Sequence, residues 1–345
     1  MPEVILDALS AIKNFTFGRP FDLEKKSDFQ AHSESIRKTR QVIDAMLANR
    51  KTAIAGVIKS RYHRNWALSS LKLARKSLNM AEKLLDFPQQ AAWHIQSAIR
   101  NVEHAKGLVR ARSVAHSIES DSFESLFLKD SDLKEGDLIL SYKTAKYHKT
   151  HFLSWLIKFA TYSAITHVSM VCTRKDSSLG MMTSAADDVE VKGLSIQNLK
   201  PKAGEIFLIL RMKDDLKKKS QVLARLKVWA EIAGKRTVSS KTDGYHFSEL
   251  KCWIACANGL VSTTSMAFFG VYASFPNPTE NHRGLFCSEL VDFIFKEAGI
   301  ILMPRAEDNA VLGPSDIMYS PHFDFKGIFG NREDAELMRK EKIVM

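Results

Sequence analysis

Two apolar periods that no single type of element satisfies divide this chain near residue 133. Before that point, apolar residues recur in steps of three, four and seven: Ile43, Leu47, Ile54 and Ile58, then Ala67, Leu71, Ala74, Leu78, Ala81 and Leu85, then Ala91, Ile95, Ala98, Val102 and Ala105. Such spacing stacks side chains on one face of a helix but scatters them over both faces of a strand. Three helices packed antiparallel are therefore expected over residues 33–118, with Pro88 near the first turn of the third, where its missing N–H costs nothing. Alanine at many seam positions lets the backbones approach closely, as in a coiled-coil-like helical bundle. After that point the apolar runs shrink to strand length: Gly136–Tyr142 (GDLILSY), Ile165–Thr173 (ITHVSMVCT), a third around Met181–Val191, and Gly204–Met212 (GEIFLILRM). Turns such as Lys134-Glu135-Gly136-Asp137 and Lys202-Ala203-Gly204-Glu205 punctuate them, which reads as an antiparallel meander. Helical stretches at Ser154–Tyr162 and Lys219–Ala233, and a helix starting near Cys287, flank these runs.

The expected class is thus α+β: an N-terminal basic helical bundle followed by an antiparallel sheet flanked by helices. Residues 1–32 form an N-terminal segment, 33–118 the bundle, 119–132 an acidic, serine-rich connection, and 133–330 the second domain. The end, 331–345, reads as a charged terminal helix or a disordered tail. At 345 residues, 45% hydrophobic and 26% charged, the chain is long and apolar enough for two cores and is not a disordered polymer.

Charge divides the chain at nearly the same place. Residues 36–112 carry 16 Lys and Arg against 4 Asp and Glu, a net of +12, which leaves 34 against 35 elsewhere for an overall +11. A module so biased is drawn to polyanions, with an anionic membrane surface as the expected partner of residues 36–112; the plain alternative is a solvated helical face. Aromatics there, such as Tyr62, Trp66 and Trp93, are sparse, so nucleic acid is not an expected partner. The start, MPEVILDALSAIKNF, lacks a basic stretch leading into a long apolar run. A cytoplasmic protein, or one exported without a classical signal peptide, with peripheral membrane contact left open, is the expectation. Trp253–Phe275 is uncharged, but Asn258, Gly259, Ser262, Thr263, Thr264 and Ser265 make its middle polar, which favours a buried segment or a lid over a membrane span.

Two side chains carry the prospect of chemistry. In Gly284-Leu285-Phe286-Cys287-Ser288-Glu289-Leu290 a glycine turn runs into an amphipathic helix and places a thiol at its amino terminus. Unpaired amides and the helix dipole favour a thiolate there, with pKa values that fall to roughly 3.5–7.5. His167 lies mid-strand between Thr166 and Val168, an odd choice for an apolar wall. The two form a thiolate and imidazolium pair if they meet. A helix-start cysteine also serves as a small buried apolar residue, and a strand histidine as a hydrogen-bonded structural group.

An ordered set of segments then resembles a known family, the circularly permuted papain-like cysteine hydrolases of the NlpC type, in particular the YiiX-like group. The segments are Lys134-Glu135-Gly136-Asp137-Leu138-Ile139-Leu140, Ile165-Thr166-His167-Val168-Ser169-Met170-Val171, Gly204-Glu205-Ile206-Phe207 with Arg211, Phe286-Cys287-Ser288-Glu289-Leu290-Val291, and finally Gly313-Pro314-Ser315-Asp316-Ile317 with Ser320-Pro321-His322-Phe323. They span about residues 133–329, with the histidine before the cysteine. The resemblance implies that Cys287 attacks a carbonyl carbon and His167 accepts and returns a proton, with the backbone N–H of Cys287 holding the oxyanion. It also implies a polar group on the strand after His167 that orients the imidazole. Ser184 stands where relatives often carry a glutamate before alanine, and Asp187 is the alternative on chemical grounds. The implied substrate is a peptide, an isopeptide or an acyl lipid.

Other features carry less. Cys252 and Cys256 are four residues apart but lack accompanying ligands, and no GxxxxGK[ST] or GxGxxG occurs, so neither a metal nor a cofactor is expected. His148 and His151 lie in a basic loop, as substrate contacts or simply as exposed polar residues. Set against an enzyme is a second reading, a papain-like scaffold of weak or no activity whose basic bundle binds an anionic membrane or another polyanion.

Overall fold

The computed structural model describes residues 26–48, 61–84, 86–144, 163–185, 193–236, 245–248, 254, 257, 285–302 and 313–341. The expected helix at 154–162, Ile54, Ile58, Leu85, Asp187, His148, His151, Cys252, Cys256 and nearly all of 253–275 fall outside them. The described residues divide into two compact units, the first ending at Ser113 and the second starting at Val114.

The first unit holds helix α1, Lys26–Ala48, helix α2, Arg61–Lys83, and most of helix α3, which runs from Pro88 to Glu119. The seam read from spacing is the buried one: Ile43, Ala67, Leu71, Ala74, Leu78, Ala81, Ala91, Ile95, Ala98, Val102 and Ala105 are all at most 4% exposed. Arg40 pairs with Glu82 and Asp44 with Arg75, so α1 and α2 run antiparallel. Ser77 meets Ser97 and Ser70 meets His104 (Oγ to Nδ1, 2.9 Å), so α2 and α3 do the same. Trp66 packs on the buried His104 ring at 4.6 Å between centroids.

The second unit is built on a six-stranded, wholly antiparallel sheet in the order β4-β3-β2-β1-β5-β6. Its strands are β1 Leu138–Lys143, β2 Ile165–Thr173, β3 Leu179–Ala185, β4 Gly193–Gln197, β5 Glu205–Met212 and β6 Phe323–Gly330. Two matching devices start the neighbouring strands β1 and β5. In Lys134–Asp137 and Lys202–Glu205 the fourth N–H bonds the first C=O at 3.0 Å, and the acid at position four accepts the first N–H at 2.9 and 3.1 Å. The third position is Gly136 (φ +87°) in one turn and Gly204 (φ +78°) in the other, the left-handed conformation that a type II turn requires. A Cβ at Gly136 would also meet Met212 Cε at 2.6 Å. Strand alternation then sends Ile139, Val171, Met181, Phe207, Ile209 and Phe329 to one buried cluster, sealed by Leu128, Leu133, Leu179 and Leu199.

The sheet departs from the expected meander in three places. β5 returns to pair with β1 instead of lying beside the preceding strand, which puts β1 at the centre and buries all six of its residues. The third strand ends at Ala185, with a separate β4 beginning at Gly193. β6, which had no counterpart in the sequence reading, closes the other edge and stacks Phe329 on Phe207. Residues 119–132 hold two 3-10 turns, Asp121–Leu126 and Asp130–Asp132; Phe123 is buried and Leu128 N–H bonds Ile328 O at 2.8 Å. Helix α4 is Lys219–Lys235, α5 Cys287–Glu297 and α6 Arg332–Lys340. Asn331 caps α6 by accepting the Glu333 N–H at 2.7 Å, and Asp334 accepts the Gly204 N–H at 2.9 Å.

One ion pair braces the first turn against the sheet. The Arg211 guanidinium grips Asp137 in a two-pronged fork (2.8 and 2.7 Å) and also bonds Asp132 O, while Asp137 is 1% exposed. Loss of the arginine leaves the Asp137 carboxylate buried without its partner charge. Arg211→Ala, which strands the buried Asp137 carboxylate, is therefore expected to lower the unfolding free energy by about 3–5 kcal/mol in urea titration, whereas Glu34→Ala, at an exposed pair, should leave the midpoint nearly unchanged.

Candidate active site

The ladder between β2 and β3 is short. It joins Met170 through Thr173 to Met182 through Leu179 and stops there. Further along, Ile165–Ser169 keeps its pairing with β1, and Thr183–Ala185 keeps its pairing with β4. The unzipped stretch is where the start of α5 enters.

Three hydrogen bonds fix the residue two before the thiol. Leu285 N–H donates to His246 O at 2.9 Å, and Leu285 O accepts from Ser184 Oγ at 2.9 Å and from Ser248 N–H at 3.2 Å. Phe286 then adopts extended backbone as the N-cap, Glu289 reaches back toward the Phe286 N–H, and Cys287 is the first helical residue. Its thiol, 6% exposed in the fold, lies against the backbone N–H of Val168, the residue after His167, and against the N–H of Ser288.

On β2, a bulge sets the histidine. Ser141 lies opposite His167 but Tyr142 lies opposite Ile165, so Thr166 is an extra residue, and bulges of this kind re-aim neighbouring side chains. His167 is half-buried, and its Nε2 shares a 2.6 Å hydrogen bond with the hydroxyl of Thr183, a fully buried residue of β3. The structure thus brings the thiol to the residue next to His167, and a hydroxyl to the imidazole itself. No family model, no curated protein and no solved structure matches this chain.

The group that meets the imidazole is Thr183, which the sequence reading passed over. Ser184 points its hydroxyl to Leu285 O instead, so it holds the entry to α5. The ladder explains the difference: with Val171 opposite Met181, odd residues of β3 share a face with odd residues of β2, so Thr183 is on the side of His167 and Ser184 is not. Parity was available in the sequence, but the register that gives it meaning was not.

Electrostatics also corrects an expectation. Burial pushes the Cys287 thiol above its ordinary value, and the N–H groups of Val168 and Ser288 and the Lys143 ammonium offset that rise only in part. Lys143 is itself 6% exposed, at the end of β1 opposite the equally buried Glu205. The helix start therefore does not produce a resting thiolate: desolvation of the anion outweighs the amides. Cys172, buried in β2, is pushed up to about 11 by the same cause and lacks any such helix start. At the closing segment, Gly313 N–H bonds Asp316 at 2.8 Å, and burial pushes that carboxyl up to about 6. Among the described residues, no three or more His, Cys, Asp or Glu side chains converge as metal ligands.

The sign of the Cys287 shift gives a measurable consequence. A thiol raised above 9.0 is neutral through the physiological range and becomes nucleophilic only as pH climbs past that value. Alkylation of Cys287 by iodoacetamide should rise with a midpoint above 9, and that phase should be absent from Cys287→Ala. A midpoint near 7 would mean that the amides and Lys143 prevail over burial.

Proposed function

We propose that the second unit is a cysteine hydrolase or acyltransferase of the permuted papain-like, NlpC-type fold that cleaves an amide or ester through a thioester, and that the first unit is its basic helical bundle. The observation that carries this reading is the pair of contacts at the unzipped end of β2: Cys287 sulfur against Val168 N–H, and His167 Nε2 on Thr183 Oγ1 at 2.6 Å.

The chemistry follows from a neutral resting thiol. The mechanism requires the tautomer in which His167 donates its Nε2–H to Thr183 and carries the lone pair on Nδ1. As the Cys287 sulfur bonds the substrate carbonyl carbon, its proton passes to Nδ1, and the new oxyanion is held by the Cys287 N–H at the start of α5. Collapse breaks the bond to the amine or alcohol, which leaves with the proton from His167. Water, or an acceptor hydroxyl or amine, then attacks the thioester with His167 again as base and frees the thiol. Thr183 orients the ring but brings no negative charge to the imidazolium, so turnover is slower than with a carboxylate there. Substrates are peptide or isopeptide amides, or acyl lipids.

Intact-mass analysis after mixing with a short-chain p-nitrophenyl ester is the test. An acyl adduct on Cys287 is expected, absent in Cys287→Ala, formed about 100-fold or more slowly in His167→Ala and about tenfold more slowly in Thr183→Val. An adduct that forms at the same rate without His167 would remove the pair. No adduct with any acyl donor would leave the scaffold reading, in which the unit binds but does not turn over.

A further inference from the structure

Helix α2 presents two kinds of side chain to solvent that rarely share a face. Its seam residues Ala67, Leu71, Ala74, Leu78 and Ala81 are buried, and at about 100° per residue the opposite side carries Lys72, Lys76 and Lys83, all exposed. Beside them stand Leu73 and Met80, 41% and 36% exposed and seven residues apart; Phe87, seven further on in the turn after the helix, is 58% exposed. Seven large apolar side chains are this exposed among the described residues, and these three, with Val42 of α1, put four of the seven in the first unit. That clustering argues against ordinary scatter.

The charges on this face are unbalanced. Glu82 is the only acid of α2, and it is bound by Arg40, while Arg75 is matched by Asp44. None of the described carboxylates pairs with Lys72, Lys76 or Lys83, and Asp86, beside Phe87, is the one exposed acid of the segment. Among the described residues no helix is long and apolar enough to cross a membrane.

We propose that this face of α2, with Phe87, docks on an anionic lipid surface: the three lysines meet headgroup phosphates while Leu73, Met80 and Phe87 enter the boundary of the acyl chains. The apolar trio decides between occupants. Against a hydrated nucleic-acid backbone these side chains gain nothing, and they form no stack of aromatic platforms. At a membrane interface, apolar burial and attraction of lysine to acidic lipid add. The inference stands apart from the chemistry of Cys287 and holds whether or not that site turns over.

The test is co-sedimentation of the full chain with phosphatidylcholine vesicles that contain either no phosphatidylserine or about 30 mol % of it, at about 0.15 M salt. Binding is expected only with the anionic lipid. The variant Lys72→Gln/Lys76→Gln/Lys83→Gln should lose roughly 100-fold in partitioning, and the corresponding triple arginine variant should keep it. Leu73→Ser/Met80→Ser/Phe87→Ser should retain weak binding that disappears at high salt, because the attraction alone remains. All six positions are exposed, and circular dichroism checks that the helices persist. Equal binding to neutral vesicles, unchanged binding after the lysine substitutions, or no binding at low salt would overturn the proposal. So would tight binding of an RNA oligonucleotide by a chain that ignores the vesicles.

Discussion

The early end of the β2–β3 ladder is the constraint on which the rest of the second unit depends. A strand that leaves its partner after Met170 must find other uses for its backbone amides, because an unmatched buried N–H is costly. Here the Val168 N–H is directed at the Cys287 sulfur, and Ser184 on the parted strand turns its hydroxyl to Leu285 O. The start of α5 therefore fills the opening in the sheet and is held there by groups the sheet no longer uses. His167 and Thr183, on one face of the two strands, meet beside the same opening at 2.6 Å.

The same geometry decides the state of the thiol. A cysteine set into the seam between strands is desolvated, and desolvation acts on the anion more strongly than two amides and one lysine can offset. Under the acyl-transfer reading proposed above, the base acts at the moment of attack rather than beforehand. The Thr183 hydroxyl beside the imidazole brings no negative charge to it.

The helical seam was legible in the sequence because a period of three and four is local, and each residue from Ala67 to Ala105 reports it independently. The paired turns were equally legible, since lysine, glycine and acid at fixed positions satisfy themselves within four residues. What the sequence withheld was long-range. That β5 returns to β1, that residues 323–330 form an edge strand, and that Thr183 rather than Ser184 meets His167 all depend on which strands pair and in what register. The thiol pKa failed for a related reason: a helix start is visible in sequence, but the burial around it is not.

The central claim is that His167 offers Nδ1 as a lone pair while Nε2–H is committed to Thr183. Nitrogen-15 NMR of the histidine rings, with His167 assigned by substitution, reads that tautomer directly. The account predicts a neutral His167 protonated at Nε2, with its signal displaced in Thr183→Val. A ring protonated at Nδ1 would leave no base for the thiol and would contradict it.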